Sequence, residues 1–256
     1  MKIKNKLTNT EPCAFHLNGD DEHNTTGFSV WNTFKENYNN IEKEKLREDT
    51  ALGFFMCGYK QKTMIEESAE FFGVGVNNIY SDELGVPQKK ARSAFTWRRL
   101  LRSKPFAMEK FLLNNPSLRY IIGWDSSDVF LAKHPNRIVE IFEKDFDCKM
   151  LFNAEINLYP IRSETNSIYD NLFSRSDYNV SKSKFCYLNS GLFIADTKYY
   201  LEVMNEYREL KYIERGEQGQ FQQLFGKNYG DIQIDFDCKI FQSMYGIDNG
   251  DIELIN

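Results

Sequence analysis

Two aspartates three residues apart, Asp125 and Asp128, interrupt an apolar stretch that runs Tyr120-Ile121-Ile122-Gly123-Trp124 before them and Val129-Phe130-Leu131 after them. A run of Tyr and Ile that stops at a turn-forming cluster predicts a buried strand with Asp-Ser-Ser-Asp at its carboxyl end. Open α/β sheets place their ligands there. Carboxylates this close repel each other unless something positive lies between them. A divalent cation answers that need: hard oxygen donors suit Mg²⁺ or Mn²⁺, which keep coordination positions open for substrate phosphates. The alternative for the same residues is a solvated turn with Asp at turn positions.

The elements that must position this pair follow from the flanking pattern. Ala51-Leu52-Gly53-Phe54-Phe55-Met56-Cys57 predicts a first core strand, and Met64, Ile65, Ala69 and Phe72 recur at helical spacing. Gly73-Val74-Gly75-Val76 then returns the chain to a second strand. Strand, helix, strand opens a nucleotide-binding α/β unit. Gly73 and Gly75 come after the helix, the wrong place for a dinucleotide fingerprint, so NAD binding of the Rossmann kind is not expected. Further on, Phe95 to Leu113 predicts a helix interrupted at Pro105, Pro135 to Phe142 another helix, and Met150 to Glu155 a strand. The polar stretch from Ile161 to Ser183 suggests a mobile substrate loop or an insertion. Tyr187 to Ile194 resumes the sheet, Tyr199 to Leu210 is helical, and Gly216-Glu217-Gln218 opens a helix through Phe225. Short strands at Ile232 to Asp235, Lys239 to Gln242 and Ile252 to Ile255 follow. Upstream, Cys13-Ala14-Phe15 predicts a short strand entering a turn at His16-Leu17-Asn18-Gly19, and the charged segment Ile41 to Asp49, a helix or a tether, marks the likeliest boundary.

With 256 residues, 41% of them hydrophobic and 35 of them Phe or Tyr, the chain can bury a substantial core. A formal charge of -5 argues against a nucleic-acid binder that works through a broad basic surface. The basic cluster Lys89-Lys90-Ala91-Arg92, with Arg98, Arg99, Arg102 and Lys104 beyond it, fits a solvated helix face or a contact to a phosphate-bearing small molecule. The cysteines at 13, 57, 148, 186 and 238 have neither zinc-site nor redox-motif spacing, and reduced thiols are expected. The basic start, Met1 to Lys6, leads into polar residues instead of an apolar leader. No apolar run approaches a membrane span, so a cytoplasmic protein without a membrane span is expected.

Four segments in one order carry more. W-D-S-S-D, F-N-A-E-I-N-L-Y-P, Y-L-N-S-G-L-F-I and I-D-F-D-C-K-I-F-Q together resemble the glycosyltransferase domain of procollagen lysyl hydroxylases and the related collagen glucosyl- and galactosyltransferases. In that family the counterparts read T-D-S-Y-D, F-S-A-E-x-x-C-W-P, F-L-N-S-G-G-F-I and L-D-x-x-x-R-I-F-Q. Ser68-Ala69-Glu70-Phe71-Phe72 extends the likeness upstream, against the family's S-A-Q-F-F.

The resemblance implies an α/β fold of the GT-A type, a Rossmann-like central mixed sheet flanked by helices. It also implies a UDP-sugar donor, a hydroxyl-bearing acceptor and a Mn²⁺ ion (Mg²⁺ being the other candidate) bridging the donor diphosphate. By the family's pattern the metal ligands are Asp125, Asp128 and a histidine in an H-G-N-G motif beyond the last strand. Here it is residues 1–19, ending H-L-N-G, that resemble the segment carrying that histidine. His16 is therefore expected as the third ligand, on an N-terminal arm (1–49) that packs on the glycosyltransferase core (50–256) in a circular permutation. A homodimer in which residues 1–45 complete a neighbouring chain by swapping is the alternative; a structural histidine beside a turn is the plainer one.

Further roles follow from the same resemblance. Glu155, Asn189, Ser190 and Gly191 are expected on the donor sugar, Lys104 on phosphate, and Tyr59 in the nucleotide-facing turn after the first strand. Glu217 and Gln218, where the family has D-Q, are expected close to the reacting centre, and Asp235 near the acceptor. Tyr159 stands where the family has Trp and is expected on the acceptor side, while Ser127 stands where the family has Tyr. The expected reaction moves glucose or galactose from UDP to a hydroxyl, with retention as one of two open routes. Rival readings are a sugar-nucleotide or glycan-binding module without turnover and a Mg²⁺-dependent phosphoryl-transfer enzyme using the same carboxylates.

Overall fold

A computed structural model describes residues 2–18, 25–38, 43–55, 62–79, 94–178, 183–211, 213 and 216–255. In chain order these form β1 (Lys2–Asn5), β2 (Ala14–His16), α1 (Thr25–Asn37), β3 (Thr50–Phe54), α2 (Met64–Phe72), β4 (Asn77–Asn78), α3 (Ala94–Leu113), β5 (Tyr120–Trp124), β6 (Val129–Leu131), α4 (Pro135–Asp145), β7 (Met150–Glu155), α5 (Ser163–Phe173), β8 (Tyr187–Asp196), α6 (Thr197–Glu209), α7 (Gln218–Lys227), β9 (Ile232–Ile234), β10 (Phe241–Ser243) and β11 (Ile252–Ile255).

The central sheet has the order β4-β3-β5-β8-β7-β9. β3 and β5 run parallel, β8 is antiparallel to both β5 and β7, and β9 returns parallel to β7. Strands covered on both faces must be apolar throughout, which is why Leu151 and Phe152 of β7 and Leu192, Phe193 and Ile194 of β8 are all buried. The strand carrying the aspartates is thus held in mid-sheet between β3 and β8.

Local sequence sets the helix ends. Thr63 and Glu66 form a reciprocal capping box at the start of α2, and Gly73, at φ 71°, closes it in the left-handed conformation that glycine adopts without strain. Pro135 opens α4, where its missing N–H costs nothing.

A smaller sheet, β10-β2-β6, lies beside the main one, and β1 pairs with β11. The N-terminal strands therefore fit among the C-terminal ones of the same chain. Phe15 stacks on Phe130 at 5.1 Å, and Trp31 and Phe34 of α1 close on Phe130 at 5.0 and 5.6 Å. Ile3, Phe15, Trp31 and Phe34 accordingly share one core with Phe152, Phe193 and Phe221.

Two expectations need correction. The stretch from 161 to 183 is no loop at its start: α5 fills 163–173, burying Thr165, Tyr169 and Leu172 at helical spacing among polar neighbours. Nor does Pro105 interrupt α3, which runs on through it; the proline removes only the bond to the carbonyl one turn back. Between the two alternatives for 41–49, the described part is a tether, pinned where Arg47 N–H donates to Asn136 Oδ1 and its guanidinium pairs with Asp49 and Glu143. Among the described residues no helix is long and apolar enough to cross a membrane.

Candidate active site

The chain leaves β5 at Asp125, whose N–H donates to the Gly191 carbonyl of β8 at 3.1 Å. Ser126 Oγ donates to the Phe55 carbonyl at 3.0 Å, and the Asp128 carbonyl accepts from Leu17 N–H at 2.7 Å. These bonds tie the Asp-Ser-Ser-Asp turn to β3 on one side and to the N-terminal arm on the other. His16, the last residue of β2, is brought over the turn by that pairing. Its Nε2 lies 3.4 Å from Asp128 Oδ2 and 3.7 Å from Asp125 Oδ2. One ligand atom from each of the three side chains falls within 4.8 Å of the others. Burial disfavours the imidazolium, but Asp128 and Asp125 outweigh it and hold the His16 pKa above its ordinary value.

Lys104 of α3 reaches the same turn from below. Its buried ammonium bonds Asp125 Oδ1 and, at 3.1 Å, Glu217 Oε1. Burial works against this charge, yet the two carboxylates leave its pKa raised. For Asp125 burial is the larger influence and holds its pKa up against the pull of Lys104.

Glu217 stands at the N-cap of α7 but makes no cap bond; its carboxylate accepts from Lys104 and from Ser190 Oγ at 3.4 Å. Gln218 ties three elements together. Its Oε1 accepts from Ser190 N–H at 2.9 Å, and its Nε2 donates to Glu155 Oε1 at 3.0 Å and to the Tyr159 carbonyl at 2.6 Å. Asn189 Oδ1 faces His16 Nδ1 at 2.9 Å, and a Cβ on Gly191 would lie 2.6 Å from His16 Nε2 and nearer still to its Cε1 and Nδ1. The glycine expected to admit a donor sugar thus admits the histidine.

All of these side chains except Gly191 and Asp235 line one cleft of about 1020 Å³, within the size range of small-molecule sites. Tyr159, 44% exposed, stands at its mouth. Asp235 does not belong to it. Fully buried, it accepts N–H bonds from Lys239, Ile240 and Phe241 at 2.7 to 2.9 Å, which shape the turn into β10. This is a structural role instead of the acceptor contact expected. Tyr59 lies outside the described residues. The cleft also contains side chains the sequence did not single out, among them Phe28, Phe55, Leu101, Ile161 and Tyr245. Of these, Tyr245 and Ile161 are exposed large apolar side chains, at 45% and 66%.

Against known proteins, the family model of the PLOD GT domain matches residues 107–256, more than half of the chain. The chain belongs to that family. A PLOD GT domain is a glycosyltransferase domain, and the chain has the mixed α/β sheet flanked by helices expected of one. The match contains the two aspartates, Glu155, the Asn189-Ser190-Gly191 segment and Glu217-Gln218; it begins beyond Ser68–Phe72 and beyond the arm carrying His16. Among solved structures, the apo crystal structure of mouse Xyloside xylosyltransferase 1 is similar at 11% identity and TM-score 0.42, with 86% of this chain and 83% of that one covered. No curated protein matches the chain.

Glu155, inside the PLOD GT match, gives a prediction that needs no ligand. Burial pushes its pKa up to about 7 from 4.5, against the lowering influence of His16, Asn189 and Gln218. The folded state then binds a proton that the unfolded state has released. The stability tied to that proton is fully present below about pH 4.5 and is lost as pH rises through about 7, a difference on the order of 3 kcal/mol. Glu155→Gln is expected to flatten this part of the profile, read as denaturant midpoints between about pH 5 and 8. Profiles of equal slope would show that Glu155 is not the group responsible.

Proposed function

We propose that this glycosyltransferase moves glucose or galactose from a UDP-sugar to a hydroxyl acceptor, using Mn²⁺ or, in its place, Mg²⁺. The observation that carries the reading is the convergence of His16 Nε2 with the Asp125 and Asp128 carboxylates, all within 4.8 Å, on the wall of the cleft. One imidazole and two hard carboxylates fit a divalent ion that keeps positions for diphosphate oxygens. When bound, the ion supplies positive charge where negative charge builds on departing UDP.

The protein's own groups divide the remaining work. The Lys104 ammonium, buried beside Asp125, adds a fixed positive charge on the diphosphate side. Glu217, Gln218, Ser190 and Glu155 form a hydrogen-bonded rim that takes the donor sugar's hydroxyls and holds the anomeric carbon toward the acceptor. Tyr159 and the cleft mouth receive the acceptor. In this reading the configuration is retained, by a front-face route in which donor phosphate oxygens assist.

We further read residues 1–49 as an arm doing the work of the family's C-terminal segment, a circular permutation. The pairing of β2 between β10 and β6 and of β1 with β11 supports it.

The test is UDP release from a panel of UDP-sugars, with Mn²⁺ and with EDTA. Release that needs the metal and is fastest with UDP-glucose or UDP-galactose is the expected result. UDP binding without release from any sugar would overturn turnover and leave a sugar-nucleotide binder. Metal-independent release would remove the ion from the mechanism.

A further inference from the structure

We propose that Asn189 is a positioning residue that fixes the tautomer of His16, so that Nε2 presents a lone pair to the turn between Asp125 and Asp128. The inference rests on the metal reading above only for its purpose; its structural content stands on hydrogen bonds.

Asn189 Oδ1 lies 2.9 Å from His16 Nδ1 and also accepts from Gly191 N–H at 2.8 Å, with Asn153 Nδ2 at 3.4 Å. Which end of an asparagine amide is oxygen must be settled by its partners, and here they agree. Reversing the amide would set NH₂ against the Gly191 N–H, a backbone donor whose identity is fixed. With Oδ1 facing the ring, His16 Nδ1 must carry the proton, because an oxygen acceptor needs a donor.

Neutral imidazole has one N–H, so Nε2 is left with its lone pair. That lone pair points at Asp128 Oδ2 and Asp125 Oδ2, 3.4 and 3.7 Å away. With the ring neutral, three electron-pair donors converge within 4.8 Å, an arrangement that favours a cation. A histidine whose other nitrogen is held by a hydrogen-bonded partner is oriented as a metal ligand, and loss of such a partner costs about 10- to 100-fold in metal affinity.

Asn189 Oδ1 thus joins the Gly191 N–H and the imidazole, linking β8 to β2. A register shift between Phe152 and Asn153 falls where β7 meets β8 beside Asn189. Asn189 was expected on the donor sugar; with its oxygen shared among His16, Gly191 and Asn153, its position serves the histidine.

The test is the ¹⁵N spectrum of His16 in the metal-free full chain at alkaline pH, where the ring is neutral, with Mn²⁺ affinity measured by electron paramagnetic resonance. Wild type is expected to show protonated Nδ1 and unprotonated Nε2. Asn189→Ala should lose that bias and weaken Mn²⁺ binding about 10- to 100-fold, whereas Asn189→Asp, which keeps an oxygen acceptor, should preserve the tautomer. An Nε2–H tautomer in wild type overturns the proposal, as does an Asn189→Ala protein with unchanged tautomer and affinity. If wild type shows the Nδ1–H form but binds no Mn²⁺, the metal reading fails while the tautomer assignment stands.

Discussion

Alanine at His16 or at Asp128 is expected to reduce Mn²⁺-dependent UDP release roughly a thousandfold, through loss of about 4 kcal/mol of charge stabilisation at the leaving group. Both side chains lie at the ends of elements held by backbone bonds: the His16 carbonyl accepts from Met244 N–H and the Asp128 carbonyl from Leu17 N–H. Removing the side chains leaves those bonds in place, so the metal-free fold should persist. Asp128→Ala also relieves repulsion with Asp125. Mn²⁺ at a hundredfold excess over Kd should stabilise wild type by about 2.7 kcal/mol, and neither variant should gain this. A thermal scan with and without the ion separates loss of binding from loss of folding. Full activity in His16→Ala would remove the N-terminal arm from the metal site.

The aspartate turn was legible because burial and chemistry made opposite demands on adjacent residues. Tyr120, Ile121 and Ile122 could only be interior, and Asp125 only at an edge. β7 and β11 were legible at their observed bounds for a related reason: apolar runs ended by polar residues have few other solutions. α5 was hidden because only Thr165, Tyr169 and Leu172 are buried, and none of its first four residues is apolar. Pro105 misled in the opposite direction, since a single missing donor is tolerated when the helix is packed against its neighbours. Tyr200 of α6 shows that packing, donating to the Pro105 carbonyl at 3.2 Å.

Side-chain partners were less accessible than elements. Lys104 and Glu217 are 113 positions apart in sequence, and no local pattern announces that they meet. Asp235 carried a motif match yet serves three backbone N–H groups, because a carboxylate at a strand end satisfies a turn as readily as it meets a ligand. For Gly191 the close approach was foreseen and the approaching group was not.

Gly191→Ala should therefore be nearly as damaging as loss of His16 itself, though it removes no functional group. A methyl there would clash with the Cε1 edge of the imidazole ring, and neither side can yield cheaply. Gly191 is on β8, between β5 and β7, with its carbonyl bonded to Asp125 N–H; His16 is on β2, paired on both edges. Overpacking of this kind costs about 1–3 kcal/mol, and the ring must rotate away from the aspartates to reduce it. The expected result is a lowered denaturant midpoint with Mn²⁺-dependent release down about a thousandfold. Gly250→Ala, which meets nothing within 4 Å, should change neither. The double variant His16→Ala/Gly191→Ala decides the cause: with the ring gone the added methyl has room, so stability should return towards that of His16→Ala while activity stays lost. Such a non-additive cycle is what direct contact produces; additive penalties would show that the methyl acts on β8 itself and that the imidazole lies elsewhere.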